Sequence, residues 1–316
     1  MLGLIGRRLI QLIPILLGVT FLTFLILNLL PGNAALAILG QQATNESIAR
    51  LNHQLGLDRP LLVQYWSWLV NAVQGRLGFD FINNQSVSSI IANRIPVDIE
   101  LGLLSIVIAL VLAIPTAVAA AWRPGGIVDR VASILSMATV SLPSFVLALV
   151  LVLLFAIRIP AFQPTGFVPI NAGPLANLRS LALPAISLAA FPFGLYVQVL
   201  RGDLIKQLTT GTYIETARMK GASEWRIILR HALPNALLGL VTVVALNLGI
   251  IAGGSVLIEE IFALPGMGQT LVIAIDARNS PVVQGIVSVI AVVVVAANLL
   301  ADIVYTLVDP RIRDAH

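Results

Sequence analysis

Residues 215–234 read ETARMKGASEWRIILRHALP, a charged stretch with a helical pattern that lies between two long apolar runs. Just before it, Thr212 and Glu215 have the spacing of a capping box, in which both side chains satisfy free backbone amides at a helix start. Gly221 suits the left-handed position that ends such a helix, and Ser223 can cap a second one. The sequence therefore predicts a helix–turn–helix finger over residues 212–234.

The apolar positions of the finger need a surface to pack against. Ile214, Ala217, Trp225 and Ile228 are spread over both of its predicted helices. Two helices this short depend on tertiary packing, because helix stability in proteins comes mostly from burial of an apolar face. The finger therefore either folds back on this chain or docks into a soluble partner.

The composition outside the finger is that of a membrane protein. Of the 316 residues, 58% are apolar and 11% are charged, whereas soluble domains average about 45–50% and about 25%. This excludes a soluble globular protein, a disordered chain and a disulfide scaffold, and the absence of Cys excludes thiolate chemistry. A transmembrane helix needs about 20 apolar residues. The sequence predicts an all-α polytopic membrane protein with six transmembrane helices, at 9–30, 101–121, 131–157, 180–200, 232–258 and 282–308.

The basic residues predict which side of the membrane each loop occupies. Twelve Arg and Lys residues lie in the N-terminus, the loops 122–130 and 201–231 and the C-terminal tail, whereas seven lie on the opposite side. Four of those seven are in the long segment 31–98, and long segments are translocated largely regardless of charge. Cytoplasmic loops carry an excess of Lys and Arg, so both termini are expected to be cytoplasmic.

The spans and loops predict three parts of the chain. Residues 1–98 hold an N-terminal transmembrane helix and an extracytoplasmic segment. Residues 99–309 form a five-helix core with the cytoplasmic loop 201–234. Residues 310–316 are a cytoplasmic tail, and the piece 259–281 is expected to be short and turn-rich because it contains Pro265, Gly266 and Gly268.

The extracytoplasmic segment 31–98 predicts two short helices. Thr44 can cap a helix that ends near Gly56, and Pro60 can start a second one. The second helix contains Tyr65, Trp66 and Trp68. Aromatic residues concentrate at membrane interfaces, so this helix either lies at the membrane surface or packs on the ends of the spans, and it could also serve as a platform for an external partner.

The stretch 215–234 resembles the EAA signature of ABC-importer permeases, in which Gly follows six residues after the Glu and the motif closes on Leu-Pro. Thr216 and His231 depart from that pattern. Other stretches along the chain are similar to the dipeptide/oligopeptide permease family, and specifically to the first of its two permease subunits. The matching motif residues are Glu215, Ala217, Gly221, Leu233 and Pro234, and the other stretches are 7–32, 55–69, SLPSF at 141–145, 253–269 and DPRIR at 309–313.

This resemblance implies a type I ABC importer permease fold in the cytoplasmic (plasma) membrane of a prokaryote. It implies a heterodimer with a second homologous permease, two cytoplasmic ABC ATPases and an extracytoplasmic substrate-binding protein, with membrane lipid around the spans and no nucleic acid. The finger becomes the coupling helix that enters the ATPase, with Trp225 as an added apolar anchor. The implied substrates are short peptides, and haem, nickel and glutathione importers of the same architecture stay open as alternatives.

The sequence contains no GxxxxGK[ST] phosphate loop, which is the motif that cradles ATP phosphates in many ATPases. The chain is therefore expected to be no enzyme and to bind no cofactor, with ATP and Mg²⁺ on the partner ATPases. His53, His231 and His316 are scattered over different loops, so no metal site is expected, and no catalytic arrangement of side chains is present.

One face of the third predicted span is rich in small polar residues, and Pro143 predicts a kink near the middle of that span. The face is either a mildly polar wall of the translocation pathway or a surface for close helix packing, which membrane helices achieve with small residues. The residues of this face are Ser133, Ser136, Met137, Val140, Ser141 and Ser144.

Two acidic residues are candidates for a gate or an ion pair, because intramembrane acids are costly and often functional. Glu259 is placed at the outer end of its span, where a carboxylate can reach water, and the resemblance gives it the place of the acid before the Pro-Gly turn. Asp302 lies in the last span and could form a structural ion pair or a proton relay. A stand-alone secondary transporter or channel would need a coupling acid at mid-membrane, and Asp302 is off-centre.

Overall fold

The computed structural model describes residues 2–29, 39 and 44–308, and these residues are mostly helical. In chain order the α-helices are α1 Leu2–Leu29, α2 Asn45–Leu55, α3 Leu61–Val73, α4 Val87–Trp122, α5 Ile127–Ser141, α6 Ser144–Val152, α7 Pro174–Thr210, α8 Thr212–Met219, α9 Glu224–Ile227, α10 Leu233–Gly254, α11 Val256–Phe262, α12 Met267–Asp276 and α13 Ser280–Val308. Short π-helical segments follow α6, at Leu153–Arg158, and α9, at Ile228–Ala232.

Among the described residues, five helical stretches are long and apolar enough to cross a membrane, and each overlaps one of the six predicted spans. The sixth predicted span, 131–157, is a pair of helices bent by 101° between Ser141 and Ser144. The predicted kink at Pro143 is confirmed. Leu142 has ψ 119°, the extended conformation that a following proline imposes by steric clash.

The piece 259–281 is more helical than predicted. Helices α11 and α12 occupy most of it and meet at an angle of 83°. The turn is confined to the residues between them, where Ala263 has φ +50° and ends α11. The Asp98 carboxylate accepts a hydrogen bond from the Met267 amide at 3.2 Å, so a side chain that is distant in sequence satisfies the free amide at the start of α12.

The described residues divide into two compact units. The first is made of described residues before Ile99 together with 265–295, and the second of 99–264 together with 296–308. The predicted division into 1–98, 99–309 and 310–316 stays a prediction, and the tail lies outside the described residues. In the first unit, Val87 and Ile91 of α4 are buried against α12 and the start of α13.

The two predicted helices of segment 31–98 are confirmed as α2 and α3. The Thr44 hydroxyl accepts a hydrogen bond from the Ser47 amide at 3.2 Å, which is the predicted N-cap of α2. Gly56 ends α2 with φ +67°, a conformation that costs glycine little. Pro60 stands immediately before α3, whose backbone begins at Leu61.

Helix α7 is the centre of the second unit. Its residues Tyr196, Leu200 and Leu204 are fully buried, and α5, α6, α10 and α11 pack against it. Two glycines allow close approach, as small residues commonly do between membrane helices. A Cβ on Gly194 would lie 2.5 Å from the Ser136 carbonyl oxygen, and one on Gly239 would lie 2.2 Å from an Asp203 carboxylate oxygen.

Candidate functional site

The finger begins directly at the end of α7, because Gly211 alone separates α7 from α8. The predicted capping box is wrong: Thr212 is the first residue of α8, and Gly211 holds the N-cap position without a side-chain bond. The Gly211 amide donates to the Gln207 carbonyl oxygen at 3.0 Å. A Cβ at Gly211 would lie 2.6 Å from that oxygen. The break between α7 and α8 therefore depends on a close backbone contact at a glycine, and not on a capping side chain.

The turn of the finger is centred on Gly221, as predicted. Gly221 has φ +76°, and its amide donates to the Arg218 carbonyl oxygen at 2.9 Å, while the Ala222 amide donates to the Ala217 carbonyl oxygen at 3.1 Å. This pair of bonds is a Schellman motif, which satisfies carbonyls at a helix end. Ser223 takes the predicted position before α9, although its side chain makes no capping bond.

An ion pair that the sequence analysis missed closes the turn. Arg218 of α8 donates from Nε and Nη2 to the two carboxylate oxygens of Glu224 in α9, at 2.9 and 3.1 Å. The hydrogen bond to Glu224 raises the pKa of Arg218 above its usual value. Both side chains are about half exposed, so the pair orients the two helices more than it stabilises them.

The finger folds back on this chain through its buried positions. Ile214, Ala217 and Ile228 lie in one apolar cluster with α7 and α10. Three of the four apolar finger residues thus pack on this chain, where the sequence had left open a choice between this chain and a partner. Trp225 differs, because 45% of it is exposed, and Met219 beside the turn is 81% exposed. The finger therefore has a side fixed to the membrane helices and an apolar tip that remains accessible.

Trp225 also connects the finger to the loop that follows α4. Its ring centroid lies 4.8 Å from that of Trp122, and the Arg123 guanidinium lies 5.9 Å from the Trp122 centroid. The two basic loops that were predicted to share one side of the membrane, 122–130 and 201–231, are thus neighbours in the second unit.

The second half of the finger is continuous with a membrane helix. Helix α9 passes through the π-helical segment Ile228–Ala232 directly into α10. Pro234 lies in the first turn of α10 and has no amide hydrogen to donate. Its position is compatible with the π-helical segment just before it, where the helical hydrogen-bond pattern changes. Leu233 packs against the apolar cluster. A displacement of the finger would therefore move α10 with it.

A partly buried ion pair joins α7, the helix that leads into the finger, to the start of α5, and it was also missed. Arg201 of α7 donates from Nε and Nη2 to the two oxygens of the Asp129 carboxylate, the second bond at 2.7 Å. The Gly125 amide donates to the same carboxylate at 2.8 Å. Asp129 is almost fully buried. One indication of this pair was present in the sequence, because Asp129 and Arg201 each lie next to the end of a predicted span.

The predicted polar face is not continuous, because the bend at Pro143 places Ser144 in α6 and the other five residues in α5. Ser136 is 1% exposed, its hydroxyl donates to the Ser133 carbonyl oxygen at 2.9 Å, and its backbone lies against Gly194. For Ser136 this geometry favours helix packing over a pathway wall. Met137 and Ser141 are exposed, and their role in a pathway stays a prediction.

Glu259 lies in α11 and is fully buried. The expectation that its carboxylate reaches water is therefore wrong, because α11 turns inward and packs on α6 and α7. Asp302 lies in α13 and is partly exposed, and its ion pair stays a prediction. Within the described residues, no three His, Asp or Glu side chains are placed to hold a metal ion together.

The sequence matches known protein families over nearly its whole length. The model of the inner membrane component of binding-protein-dependent transport systems matches residues 113–314, which include the entire finger. The model of the N-terminal part of such components matches residues 1–102. The chain belongs to this family. It is the permease of an ABC importer: an inner-membrane subunit with no catalytic role, which works with an ATPase and a substrate-binding protein.

Relatives of this permease match from end to end. One relative is a protein of Brucella abortus that is named as a peptide transport system permease. It is 43% identical over 313 residues, or 99% of each chain. The dipeptide transport system permease protein of Alkalihalophilus pseudofirmus is 34% identical over 333 residues, covering 99% of this permease and all of that protein.

Proposed function

We propose that this permease carries short peptides across the cytoplasmic membrane by alternating access. The observation that carries this proposal is the full-length similarity to relatives named for peptide and dipeptide transport. In the proposed complex it pairs with a second, homologous permease, and two ATPases bind the fingers on the cytoplasmic side. Both termini lie on that side.

The geometry of the finger supports a coupling role. Its buried side, including Ile214 and Ile228, is fixed to α7 and α10, while Trp225 and Met219 stay accessible at its tip. We infer that the ATPase grips this tip and that Glu215, which is exposed on α8, faces the same partner. ATP and Mg²⁺ are held by the ATPases. The closed ATPase pair shifts the permease between its inward and outward states only to the extent that it binds one state more tightly than the other.

The Asp129–Arg201 pair extends the coupling to α5. Arg201 lies on α7, eleven residues before the first residue of the finger, and its bond to Asp129 joins that point to the start of α5. A pull on α8 would therefore be transmitted to α7 through the chain and to α5 through the ion pair. Few charges lie along the spans, so the pathway is expected to be permissive, with selectivity set mainly by the binding protein.

The test of the substrate is uptake by the reconstituted transporter. The permease, its partner subunits and the binding protein are assembled in proteoliposomes with ATP inside, and labelled di- and tripeptides are compared with haem, Ni²⁺ and glutathione. ATP-dependent peptide uptake that needs the binding protein is the expected result. Uptake of haem, Ni²⁺ or glutathione without peptide uptake would contradict the peptide assignment while leaving the coupling mechanism untouched.

A further inference from the structure

Tyr213 lies at the elbow where α7 meets the finger. Gly211 is the single residue between α7 and α8, and a Cβ at Gly211 would lie 3.0 Å from Cε1 of the Tyr213 ring. The ring therefore lies directly against the break between the two helices. The Tyr213 hydroxyl donates to Oε1 of Gln207, in the last turn of α7, at 2.7 Å. Tyr213 thus bridges the break, from α8 back to the last turn of α7.

The same hydroxyl connects the finger to α10. Asn235 Nδ2 donates to the Tyr213 hydroxyl at 3.3 Å and to the His231 carbonyl oxygen at 2.8 Å. Asn235 is in the first turn of α10, and His231 is in the π-helical segment that leads into that helix. A side-chain amide has two hydrogens to donate, and a phenol hydroxyl both donates and accepts. The three bonds therefore form one chain from α7 through α8 to the start of α10.

Two braces join the part of the finger that enters from α7 to the part that leaves toward α10. The Arg218–Glu224 ion pair joins α8 to α9 near the turn, and the Tyr213–Asn235 bond joins the start of α8 to the start of α10 at the base. The apolar side of the finger packs on α7 and α10, but apolar contacts are non-directional. The hydrogen bonds at the base therefore set the angle of the finger more sharply than its apolar packing does.

The brace at the base is exposed, so its effect on geometry is larger than its effect on stability. Tyr213 is 38% exposed, Asn235 is exposed and Gln207 is partly exposed. A hydrogen bond that forms in contact with water replaces bonds to water, and its net contribution to folding is small. Its length and direction are nevertheless narrowly defined. Loss of the Tyr213 hydroxyl should therefore release the angle of the finger without unfolding the permease.

We propose that Tyr213 is a positioning residue for coupling. Its hydroxyl, held between Gln207 and Asn235, fixes the angle between α7, α8 and α10. A displacement of the finger by the ATPases then moves the membrane helices, whereas without this brace part of the displacement bends the chain at Gly211. The proposal rests on the coupling role proposed for the finger, and it does not depend on which substrate is carried.

The test compares variants in the full transporter, assembled in proteoliposomes with the ATPases, the binding protein and ATP inside. Tyr213→Phe removes the hydroxyl and keeps the ring. Gln207→Ala removes the acceptor on α7, and Gln207→Glu keeps an acceptor oxygen there. Tyr196→Phe is the matched control, because the buried Tyr196 hydroxyl has no hydrogen-bond partner among the described residues. Import of a labelled dipeptide and hydrolysis of ATP are measured in the same vesicles.

Tyr213→Phe and Gln207→Ala are expected to lower the number of dipeptides imported per ATP hydrolysed by about 2- to 10-fold, which is the effect of one hydrogen bond on an equilibrium. Gln207→Glu and Tyr196→Phe should keep the ratio of the unaltered transporter. Recovery of the ATPases with solubilised permease and the temperature of unfolding should stay unchanged in Tyr213→Phe. A residue with a merely structural role would lower the temperature of unfolding and leave the ratio as it was.

An unchanged import ratio in Tyr213→Phe would overturn the proposal. Lower recovery of the ATPases with this variant would also overturn it, because the exposed hydroxyl would then be a contact with the ATPase. An unaltered transporter that imports no dipeptide would contradict the peptide assignment alone. ATP hydrolysis then decides the proposal: Tyr213→Phe and Gln207→Ala should lose several-fold of its stimulation by the binding protein, and full stimulation in both would overturn it.

Discussion

Arg201 and Asp129 form a two-point ion pair that joins α7 to the first turn of α5, 72 residues apart in the chain. The carboxylate is almost fully buried and the guanidinium is about one third exposed. The pair lies on α7 between Leu200 and Leu204, two fully buried residues of the core, and α7 continues from there to the finger. It is therefore placed to hold α5 and the finger's supporting helix as one piece.

Breaking this pair is expected to lower both stability and coupling. Asp129→Asn should destabilise the permease by about 1–3 kcal/mol, below the 3–5 kcal/mol of a fully buried pair, because Arg201 keeps contact with water. The measurement is thermal unfolding of the purified transporter together with uptake. A double-mutant cycle with Arg201→Gln measures the coupling between the two side chains. If the loss of stability in the double variant equals the sum of the losses in the two single variants, the side chains do not act as a pair.

Gly221→Asp is expected to leave the permease in the membrane, weaken ATPase docking and abolish transport. The backbone at φ +76° makes any side chain strained by about 1 kcal/mol, which is too little to unfold a helical membrane protein. No atom lies within 4 Å of an added Cβ, so the new carboxylate would project from the finger's turn into the docking surface.

The control for Gly221→Asp is Gly75→Asp, which has the same strain and the same open space but lies in segment 31–98. Docking is measured by recovery of the ATPases with solubilised permease, and transport by peptide uptake. Normal uptake in Gly221→Asp would mean that the finger is only a connector. Equal loss in both variants would point to strain alone.

Trp225→Ala should reduce ATPase recovery less severely than Gly221→Asp, because it removes an apolar anchor without adding charge. Its partner within the chain, Trp122, offers a matched control, since the contact between the two rings is worth about 0.5–1.5 kcal/mol. If Trp225 binds the ATPase, Trp122→Ala should have the smaller effect. Identical effects in the two variants would indicate that the ring pair matters only inside this chain.

Gly194→Ala is expected to destabilise the permease, because the added Cβ would lie 2.5 Å from the Ser136 carbonyl oxygen and 2.4 Å from the Thr139 hydroxyl. Gly202→Ala in the same helix meets nothing within 4 Å and should be neutral or stabilising, by up to about 1 kcal/mol. Thermal unfolding of the two variants makes the comparison. A tolerated Gly194→Ala would show that α5 and α7 separate without cost.

Exchange of the external binding protein should change substrate preference more than Ser136→Ala or Ser141→Ala does. Ser136 is buried against α7, so its substitution is expected to affect packing, and Ser141 stands at the end of α5. Competition uptake with peptides of different length provides the measurement. A switch of substrate from either serine variant, with the binding protein unchanged, would contradict a permissive pathway.

The sequence predicted those features that depend on neighbours along the chain. Apolar runs locate the membrane helices because about 20 consecutive residues must match the hydrocarbon. Gly221 and Gly56 were predictable because few other residues take a positive φ without strain. Pro143 predicted its kink for an equally local reason, although the 101° size of the bend was not predictable.

Only the tertiary structure decided features that join distant residues. The capping box at Thr212 failed because α7 continues to Thr210, and Glu259 is buried because α11 turns onto α6 and α7. The pairing of Arg201 with Asp129 depends on how two helices cross, and periodicity within either helix carries no information about that crossing. The sequence by itself thus determined which segments are helical and apolar, and the packing of those segments decided which charges meet and which apolar side chains stay exposed.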